Sequence, residues 1–298
     1  MGWAEYFFRT SLFFGYNNAF SISQIGDAMR KNSVTTLRRR TLAAGALLLA
    51  ALSLPAHAAD LLDTVKARGT LRIAMEGTYP PFNYKDQKTG QLTGYDVEVA
   101  RLLAARMGLK PEFVSTEWSA ILAGLGAGKY DVIVAQVGIT PKREASFDFS
   151  VPYTYSIPQL IVRNNDKTVY KTVADLKGKK VGVGQGTVFE QQLKAAPPGI
   201  DIKSYPATPE TLQDLAFGRI DAALQDSLIV NYLIKNSHLP LHGSARLGDI
   251  SRMGIPFQKG NPKFKAALDK AIEDARADGS LKQLSMKWFG TDASRPAE

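Results

Sequence analysis

The fold is decided by the stretch Gly94-Tyr-Asp-Val-Glu-Val-Ala-Arg-Leu-Leu-Ala-Ala-Arg-Met-Gly108. Its apolar side chains recur every three or four residues, at Val97, Ala100, Leu103, Ala104 and Met107. This spacing predicts an amphipathic helix that ends at Gly108. The β-rich run Thr-Leu-Arg-Ile-Ala-Met at residues 70–75 comes before it. Together the two segments predict one strand–helix unit.

The same alternation continues on both sides of this unit. We predict a short helix at residues 60–69, strands at 112–115 and 130–135, and a helix at 118–127 between them. A second series has strands at 179–183, 202–205 and 220–224, with helices starting near Thr187 and Pro209. Strands that alternate with helices predict mainly parallel sheets covered on both faces. The sequence therefore predicts an α/β protein with two domains.

Two extended segments connect the predicted domains. Residues 150–162 contain Pro152 and Pro158, which disfavour a helix, and a similar stretch at 253–257 precedes helices at 262–276 and 280–289. If these last helices pack on the first domain, the chain crosses twice and forms two hinges around one cleft. The first lobe would then comprise residues 59–155 and 252–298, and the second lobe residues 156–251.

Residues 1–58 have the features of an export signal. A basic segment starting at Met29 precedes an apolar stretch from Leu42 to Leu54, and the small residues of Ala56-His57-Ala58 follow. This order predicts a secretory signal peptide that is cut after Ala58. The apolar stretch is shorter than the roughly 20 residues of a membrane span. Translation is expected to start at Met29, and the sequence leaves open whether the general secretory or the twin-arginine route is used.

Charge and cysteine content narrow the functional classes. The formal net charge is +9, but residues 60–298 contain 31 basic and 26 acidic residues, a net charge of only +5. No basic patch for nucleic acid is expected, because these charges are spread thinly. The chain contains no cysteine, so it has neither disulfides nor a thiol for a lipid anchor. We therefore expect a freely diffusing monomer in the periplasm of a Gram-negative cell.

Candidate ligand-binding residues follow the predicted strands. In open α/β sheets, ligands bind beyond the carboxyl ends of the strands. Arg143 can hold a carboxylate through two parallel hydrogen bonds, and Asp226 can hold an ammonium group. The turn before Thr187 is predicted to offer free backbone N–H groups to an anion. Tyr79 and Trp118 offer flat walls for a side chain, so these places together suit an amino-acid zwitterion.

Several longer motifs resemble the polar amino-acid family of bacterial extracellular solute-binding proteins. They include Met75-Glu-Gly-Thr-Tyr-Pro-Pro-Phe82, Ile139-Thr-Pro-Lys-Arg143, Gly218-Arg-Ile-Asp-Ala-Ala-Leu-Gln-Asp226 and the closing run at residues 278–290. The resemblance covers residues 60–298 almost entirely, and is strongest to the cystine-binding members. It implies a two-lobed periplasmic binding protein fold, a monomer that needs no cofactor or metal, and the membrane permease of an ABC importer as partner.

The resemblance also implies roles for individual residues. Arg143 would bind the ligand carboxylate with Thr187, and Asp226 would bind the ammonium group. Tyr79 and Trp118 would enclose the ligand side chain between their rings. Glu76 would face the far end of the ligand and suits a second ammonium group. Cystine is expected first, and glutamine or a basic amino acid next. The remaining predicted contacts are Gln136, Val188 and Gly138, and Gly138 stands where relatives usually have Ser or Thr.

Other functions fit the residues less well. A dinucleotide-binding motif Gly-x-Gly-x-x-Gly that starts at Gly182 would need glycine at position 187, and the sequence has Thr187 there. Metal binding is not expected, because the histidines are His57 in the signal and His238 and His242 on a predicted loop. A dehydratase-type enzyme on the same fold is the alternative, with Glu76 as general acid. Transport rather than catalysis is the expected function.

Overall fold

A computed structural model describes residues 59–296. The predicted signal peptide, the start at Met29 and cleavage after Ala58 concern residues outside this range. The described helices and strands are, in chain order, α1 (Leu61–Arg68), β1 (Thr70–Met75), β2 (Thr78–Tyr79), β3 (Asn83–Lys85), β4 (Leu92–Thr93), α2 (Tyr95–Arg106), β5 (Lys110–Ser115), α3 (Trp118–Gly126), β6 (Val132–Ile133), β7 (Val137–Gly138), α4 (Pro141–Glu144), β8 (Phe147–Phe149), β9 (Thr154–Ser156), β10 (Pro158–Arg163), a 3₁₀ helix (Val173–Leu176), β11 (Lys180–Gly184), α5 (Val188–Ala195), β12 (Asp201–Tyr205), α6 (Thr208–Ala216), β13 (Ala222–Asp226), α7 (Val230–Ser237), β14 (Leu241–Arg246), β15 (Ser251–Gly254), β16 (Pro256–Gln258), α8 (Pro262–Ala277) and α9 (Ser280–Phe289).

The first lobe is built around the parallel sheet β5-β1-β6. Ile73, Ala74 and Met75 of the central strand are fully buried, as expected for a parallel strand covered on both faces. Helix α2 packs against β5, and the C-terminal helices α8 and α9 pack against α2. The predicted return of these helices to the first lobe is therefore present. We use "first lobe" for β1–β9, β15 and β16 with helices α1–α4, α8 and α9.

The second lobe is a five-stranded sheet in the order β12-β11-β13-β10-β14 with helices α5, α6 and α7. Strands β12, β11 and β13 are parallel, as the alternation of strands and helices predicts. Strand β10 runs antiparallel to both of its neighbours, β13 and β14. The antiparallel direction arises because β10 enters the sheet directly from the first lobe, without a crossover helix.

The two crossings lie side by side. Strand β9 leads out of the first lobe into β10, and β15 leads back into it after β14. These strands pair antiparallel, with Tyr155 opposite Arg252. A pair of adjacent linking strands suits a hinge, because both can bend about one line. The lobe boundaries at residues 155/156 and 251/252 remain predictions.

Short and polar elements are where sequence and structure differ. The sequence pattern did not predict β2–β4, β7, α4, β8, the 3₁₀ helix, α7 or β14. The strand predicted at residues 130–135 is limited to Val132–Ile133. The predicted loop around the two histidines is wrong for His242, which lies in β14, whereas His238 is the left-handed residue that ends α7. Among residues 59–296, no helix is long and apolar enough to span a membrane.

Candidate ligand-binding cleft

A cavity of about 300 Å³ lies between the two lobes. The structure brings every one of the predicted ligand-binding residues to its wall. The first lobe contributes Glu76, Tyr79, Trp118, Gln136, Gly138 and Arg143, and the second lobe contributes Thr187, Val188 and Asp226. Phe189 and Gln225 also line the cavity, as do Glu117 and Met253, which the sequence did not single out as ligand contacts.

Arg143 is a buried cation on the short helix α4. Thr140 caps this helix, and Pro141 fixes its first turn. The guanidinium donates from Nη1 to the carbonyl of Gly138 at 2.7 Å and from Nη2 to the carbonyl of Gly186 at 3.0 Å. Within the described part of the chain, it forms no salt bridge. Burial lowers the pKa of Arg143 to about 10. A buried cation without an anion is costly, so this position suits a ligand carboxylate.

Asp226 is the matching buried anion in the second lobe. It ends β13 and is 1% exposed. Its carboxylate accepts from the hydroxyl of Ser156 at 2.7 Å and from the backbone N–H of Leu228 at 2.9 Å. Burial raises the pKa of Asp226 to about 6. An ammonium group in the cavity would supply the missing positive charge.

The turn before α5 offers fewer free donors than the sequence predicts. The Thr187 hydroxyl accepts from the N–H of Glu190 at 3.2 Å and donates to the carbonyl of Gly184 at 2.8 Å. The Gly186 N–H donates to the Glu190 carboxylate at 2.8 Å and is therefore occupied. Within residues 59–296, no acceptor is found for the N–H groups of Val188 and Phe189. These two donors at the start of α5 can face an anion.

Two further carboxyl groups, those of Glu76 and Glu117, lie on the cavity wall. Burial, together with the nearby charges of Asp96 and Glu117, raises the pKa of Glu76 to about 7. Glu117 is exposed at the rim. Together with Asp226, the cavity wall has three carboxyl groups and one guanidinium, that of Arg143. This excess of carboxyl groups favours a ligand with more than one positive group.

Asp96 is the functional residue that sequence reasoning missed. It is fully buried at the start of α2 and accepts from Gln136 Nε2 at 2.6 Å, Asn83 Nδ2 at 3.0 Å and Tyr153 Oη at 3.0 Å. Asn83 in turn accepts the Gly77 N–H at 2.8 Å. Asp96 thus links the turn after β1 to Gln136 on the cavity wall. The first turn of α2 also contains Glu98, and the sequence alone does not distinguish the buried Asp96 from it.

Gln136 is held in a conformation that is unusual for a side chain larger than Gly. Its φ is 51°, in the left-handed region, which costs on the order of 1–2 kcal/mol. Its Nε2 donates to Asp96, but its Oε1 is buried and has no partner among the described residues. Gln136 lines the cavity, but this oxygen is closed off from it, so it stands as an unsatisfied buried acceptor rather than as a ligand contact.

The aromatic walls also connect the lobes. Trp118 Nε1 donates to the carbonyl of Gln185 at 3.1 Å, and the Arg143 guanidinium lies 5.5 Å from the Trp118 ring. Tyr79 packs against Phe82, with ring centroids 5.1 Å apart. No group of three or more potential metal ligands exists among residues 59–296. What the cleft provides is charge, hydrogen bonds and flat apolar surface.

The fold and this cleft define a two-lobed solute-binding protein. The model of the family "Bacterial extracellular solute-binding proteins, family 3" matches residues 71–291. The chain belongs to this family.

Relatives and solved structures agree with this assignment. The chain is 40% identical over 249 residues to the L-cystine-binding protein TcyJ of Escherichia coli (strain K12), covering 83% of this chain and 93% of that protein. It is 35% identical over 237 residues to the L-cystine-binding protein TcyA of Bacillus subtilis (strain 168), covering 79% and 87%. A crystal structure of the ancestral amino acid-binding protein AncCDT-1, a precursor of cyclohexadienyl dehydratase, matches with a TM-score of 0.70 and 33% identity, covering 78% of this chain and 100% of that one.

Proposed function

We propose that this chain is the periplasmic substrate-binding component of an ABC importer, and that it captures cystine. The observation behind the proposal is the pair of opposite, buried charges in one cavity. Arg143 and Asp226 each lack a counter-charge of their own among the described residues and come from different lobes. An amino acid carries one carboxylate and one ammonium group, so it compensates both charges and bridges the lobes.

Cystine ranks first among amino acids for two reasons. The relatives named above with 40% and 35% identity are L-cystine-binding proteins. The carboxyl groups of Glu76 and Glu117 on the cavity wall also suit the second ammonium group of cystine. A basic amino acid would satisfy the same carboxyl groups, whereas the neutral amide of glutamine would leave them without a positive partner.

Ligand capture proceeds by closure of the two lobes. A ligand held by groups of both lobes stabilises the closed form, because only that form makes all contacts. The linking strands β9 and β15 serve as the hinge, and the permease recognises the closed protein. One chain can bind the ligand as a monomer, since it supplies both halves of the cleft.

Thermal unfolding with individual amino acids tests the proposal. A ligand at a hundredfold excess over its Kd stabilises the folded state by about 2.7 kcal/mol, and each kcal/mol raises Tm by about 2–4 °C for a protein of this size. We expect cystine to give the largest increase. Since the chain has no cysteine, a reductant acts on cystine alone and should abolish that increase. If no amino acid at millimolar concentration changes Tm, the proposed function is wrong.

A dehydratase is the second candidate. The observation that favours it is Glu76, whose pKa of about 7 is suitable for a general acid at neutral pH. The ancestral relative AncCDT-1 is described as a precursor of cyclohexadienyl dehydratase. Incubation with a cyclohexadienyl acid, followed by measurement of the aromatic product of water elimination, tests this candidate. Product formation that Glu76→Gln abolishes would replace the transport proposal.

A further inference from the structure

Gly138 and Val188 touch across the cleft. Gly138 ends β7, where it pairs with Met253, and Val188 begins α5 in the other lobe. A Cβ atom added at position 138 would collide with Val188 Cγ1 and would lie 3.3 Å from Val188 Cγ2. The φ angle of Gly138 is not in the left-handed region. Space for Val188, rather than backbone conformation, is therefore what requires glycine at position 138.

Val188 has little freedom to move away. It is β-branched and helical, which leaves one strongly preferred χ1 rotamer. The turn before it is fixed by the Thr187 cap and by the hydrogen bond from Gly186 to Glu190. Any side chain at position 138 would thus have to be accommodated by moving one lobe relative to the other.

The same contact separates two cavities. The ligand cavity of about 300 Å³ and a neighbouring hollow of about 330 Å³ share only Gly138 and Val188 among their lining residues. The hollow extends to Ile250, Ser251 and Arg252 beside the linking strands. The contact therefore lies at the boundary of the ligand cavity, on the side of the hinge.

We propose that Gly138 and Val188 are a size-matched pair that sets how far the two lobes close, and hence how tightly the ligand is held. The pair makes position 138 a positioning residue that acts through lobe closure rather than through contact with the ligand. Val188 fills the space that a side chain at position 138 would occupy. This inference rests on the proposed amino-acid binding.

A double-mutant cycle tests the pair. Gly138→Ala is expected to raise the Kd for the ligand identified by thermal unfolding about tenfold or more, because overpacking opposes closure. In the Val188→Ala background, the same Gly138→Ala change is expected to raise Kd less than about threefold. Equal losses in both backgrounds would mean that the added methyl group disturbs Arg143 Nη1, which lies 3.4 Å from the added Cβ, and would overturn the proposal.

Two further measurements separate closure from folding. The Tm of ligand-free Gly138→Ala should equal that of the wild type, because the open form has room for the methyl group. Gly126→Ala is the matched control, since its Cβ would lie 3.9 Å from the nearest atom, on Phe147, and far from the cavity wall. A Kd for Gly138→Ala within about twofold of the wild type contradicts the proposal.

A distance measurement keeps the test independent of the ligand. Spin labels on Lys88→Cys in the first lobe and Lys171→Cys in the second report closure, and the absence of native cysteine makes labelling specific. We expect a shorter distance on ligand addition in the wild type, and a smaller change in Gly138→Ala. If no amino acid binds, the proposed function has failed, and the ligand-free distances then decide. A closed population in the wild type that Gly138→Ala removes supports the pair, and identical distributions refute it.

Discussion

Arg143 shows how a single residue connects sequence to function. It follows a proline in a one-turn helix, and the structure buries its guanidinium against two backbone carbonyls and an indole ring. The carbonyls of Gly138 and Gly186 belong to different lobes, so Arg143 bridges the cleft. Carbonyl groups only partly replace the lost hydration, as the lowered pKa of Arg143 shows.

Substitution of Arg143 should abolish tight binding without unfolding the protein. Removing one partner of a buried charge pair costs about 2–5 kcal/mol, so Arg143→Ala should weaken binding by at least about 30-fold. Arg143→Lys should also lose affinity, because an ammonium group cannot form two parallel hydrogen bonds. Isothermal titration calorimetry measures both, with the exposed Arg101→Ala as control. An unchanged Kd for Arg143→Ala would refute the proposed carboxylate site.

The Asp226 carboxyl group should make the stability of the ligand-free protein and its affinity for the ligand change in opposite directions with pH. Its pKa of about 6 in the folded protein is above the ordinary value of 3.8, so the folded state binds the proton more tightly than the unfolded chain. The free energy of unfolding without ligand should therefore rise as pH falls from 7 to 5. Glu76 and Asp96, whose pKa values are also raised, act in the same direction. Affinity should fall over this range, because an ammonium ligand needs the charged carboxylate.

Asp226→Asn separates the two effects. An amide keeps the shape and can still bond to Ser156 and Leu228, but it carries no charge. At pH 7 we expect this variant to unfold with a free energy higher by on the order of 1–3 kcal/mol and to bind the ligand much more weakly. Urea denaturation and calorimetry at pH 5, 6 and 7 measure both quantities. A less stable variant at pH 7 would contradict the role of the buried charge.

Packing and turn geometry explain the three glycines at positions 182, 184 and 186, in β11 and the turn after it. Gly182 in β11 allows α6 to approach the sheet, since a Cβ there would lie 2.5 Å from Ile220 Cδ1 and 2.7 Å from Thr211 Cγ2. Gly184 lies close to the capping Thr187, at 3.0 Å from Cβ to Cγ2, and Gly186 has a φ of 73°. Each glycine thus has a local reason, and none requires a dinucleotide.

Gly182→Ala should therefore destabilise the second lobe. The added methyl group forces α6 away from β11, which costs about 1–3 kcal/mol as overpacking. We expect a lower midpoint in urea denaturation, and Gly126→Ala should show no such loss. A Gly182→Ala midpoint equal to that of the wild type would mean that α6 packs less closely on β11 than the structure shows.

Long apolar elements were predictable from the sequence, and short polar ones were not. Helix α2 and strand β1 have periodic apolar residues that match their buried faces, and the residues after the strands met at one cleft as expected for parallel sheets. Strand β14 escaped prediction because Gly243 and Ser244 break its pattern. The role of Asp96 was not predicted because its hydrogen-bond partners Gln136 and Tyr153 are distant in the sequence. The occupied Gly186 N–H was not predicted because its acceptor is a side chain four residues further on, that of Glu190.

At the scale of the whole molecule, the cleft combines unlike contributions from its lobes. The first lobe supplies the cation Arg143, the carboxyl groups of Glu76 and Glu117 and most of the aromatic surface, whereas the second supplies Asp226 and the start of α5. Neither lobe alone matches an amino acid. Ligand binding and lobe closure are therefore coupled, and a side chain at the contact between the two lobes reports both.

Trp118 is such a probe. Its indole N–H donates to Gln185 in the other lobe, while Trp288, the other tryptophan among residues 59–296, lies beside Tyr84 and away from the cavity wall. We expect ligand binding to change the intrinsic fluorescence of the wild type, because closure and the ligand alter the surroundings of Trp118. Trp288→Phe should keep this change, and Trp118→Phe should lose it and bind more weakly, since phenylalanine cannot donate to Gln185. A ligand-dependent fluorescence change that persists in Trp118→Phe but disappears in Trp288→Phe would mean that the ligand alters the surroundings of Trp288 instead. That result would contradict closure of the lobes at the contact between Trp118 and Gln185.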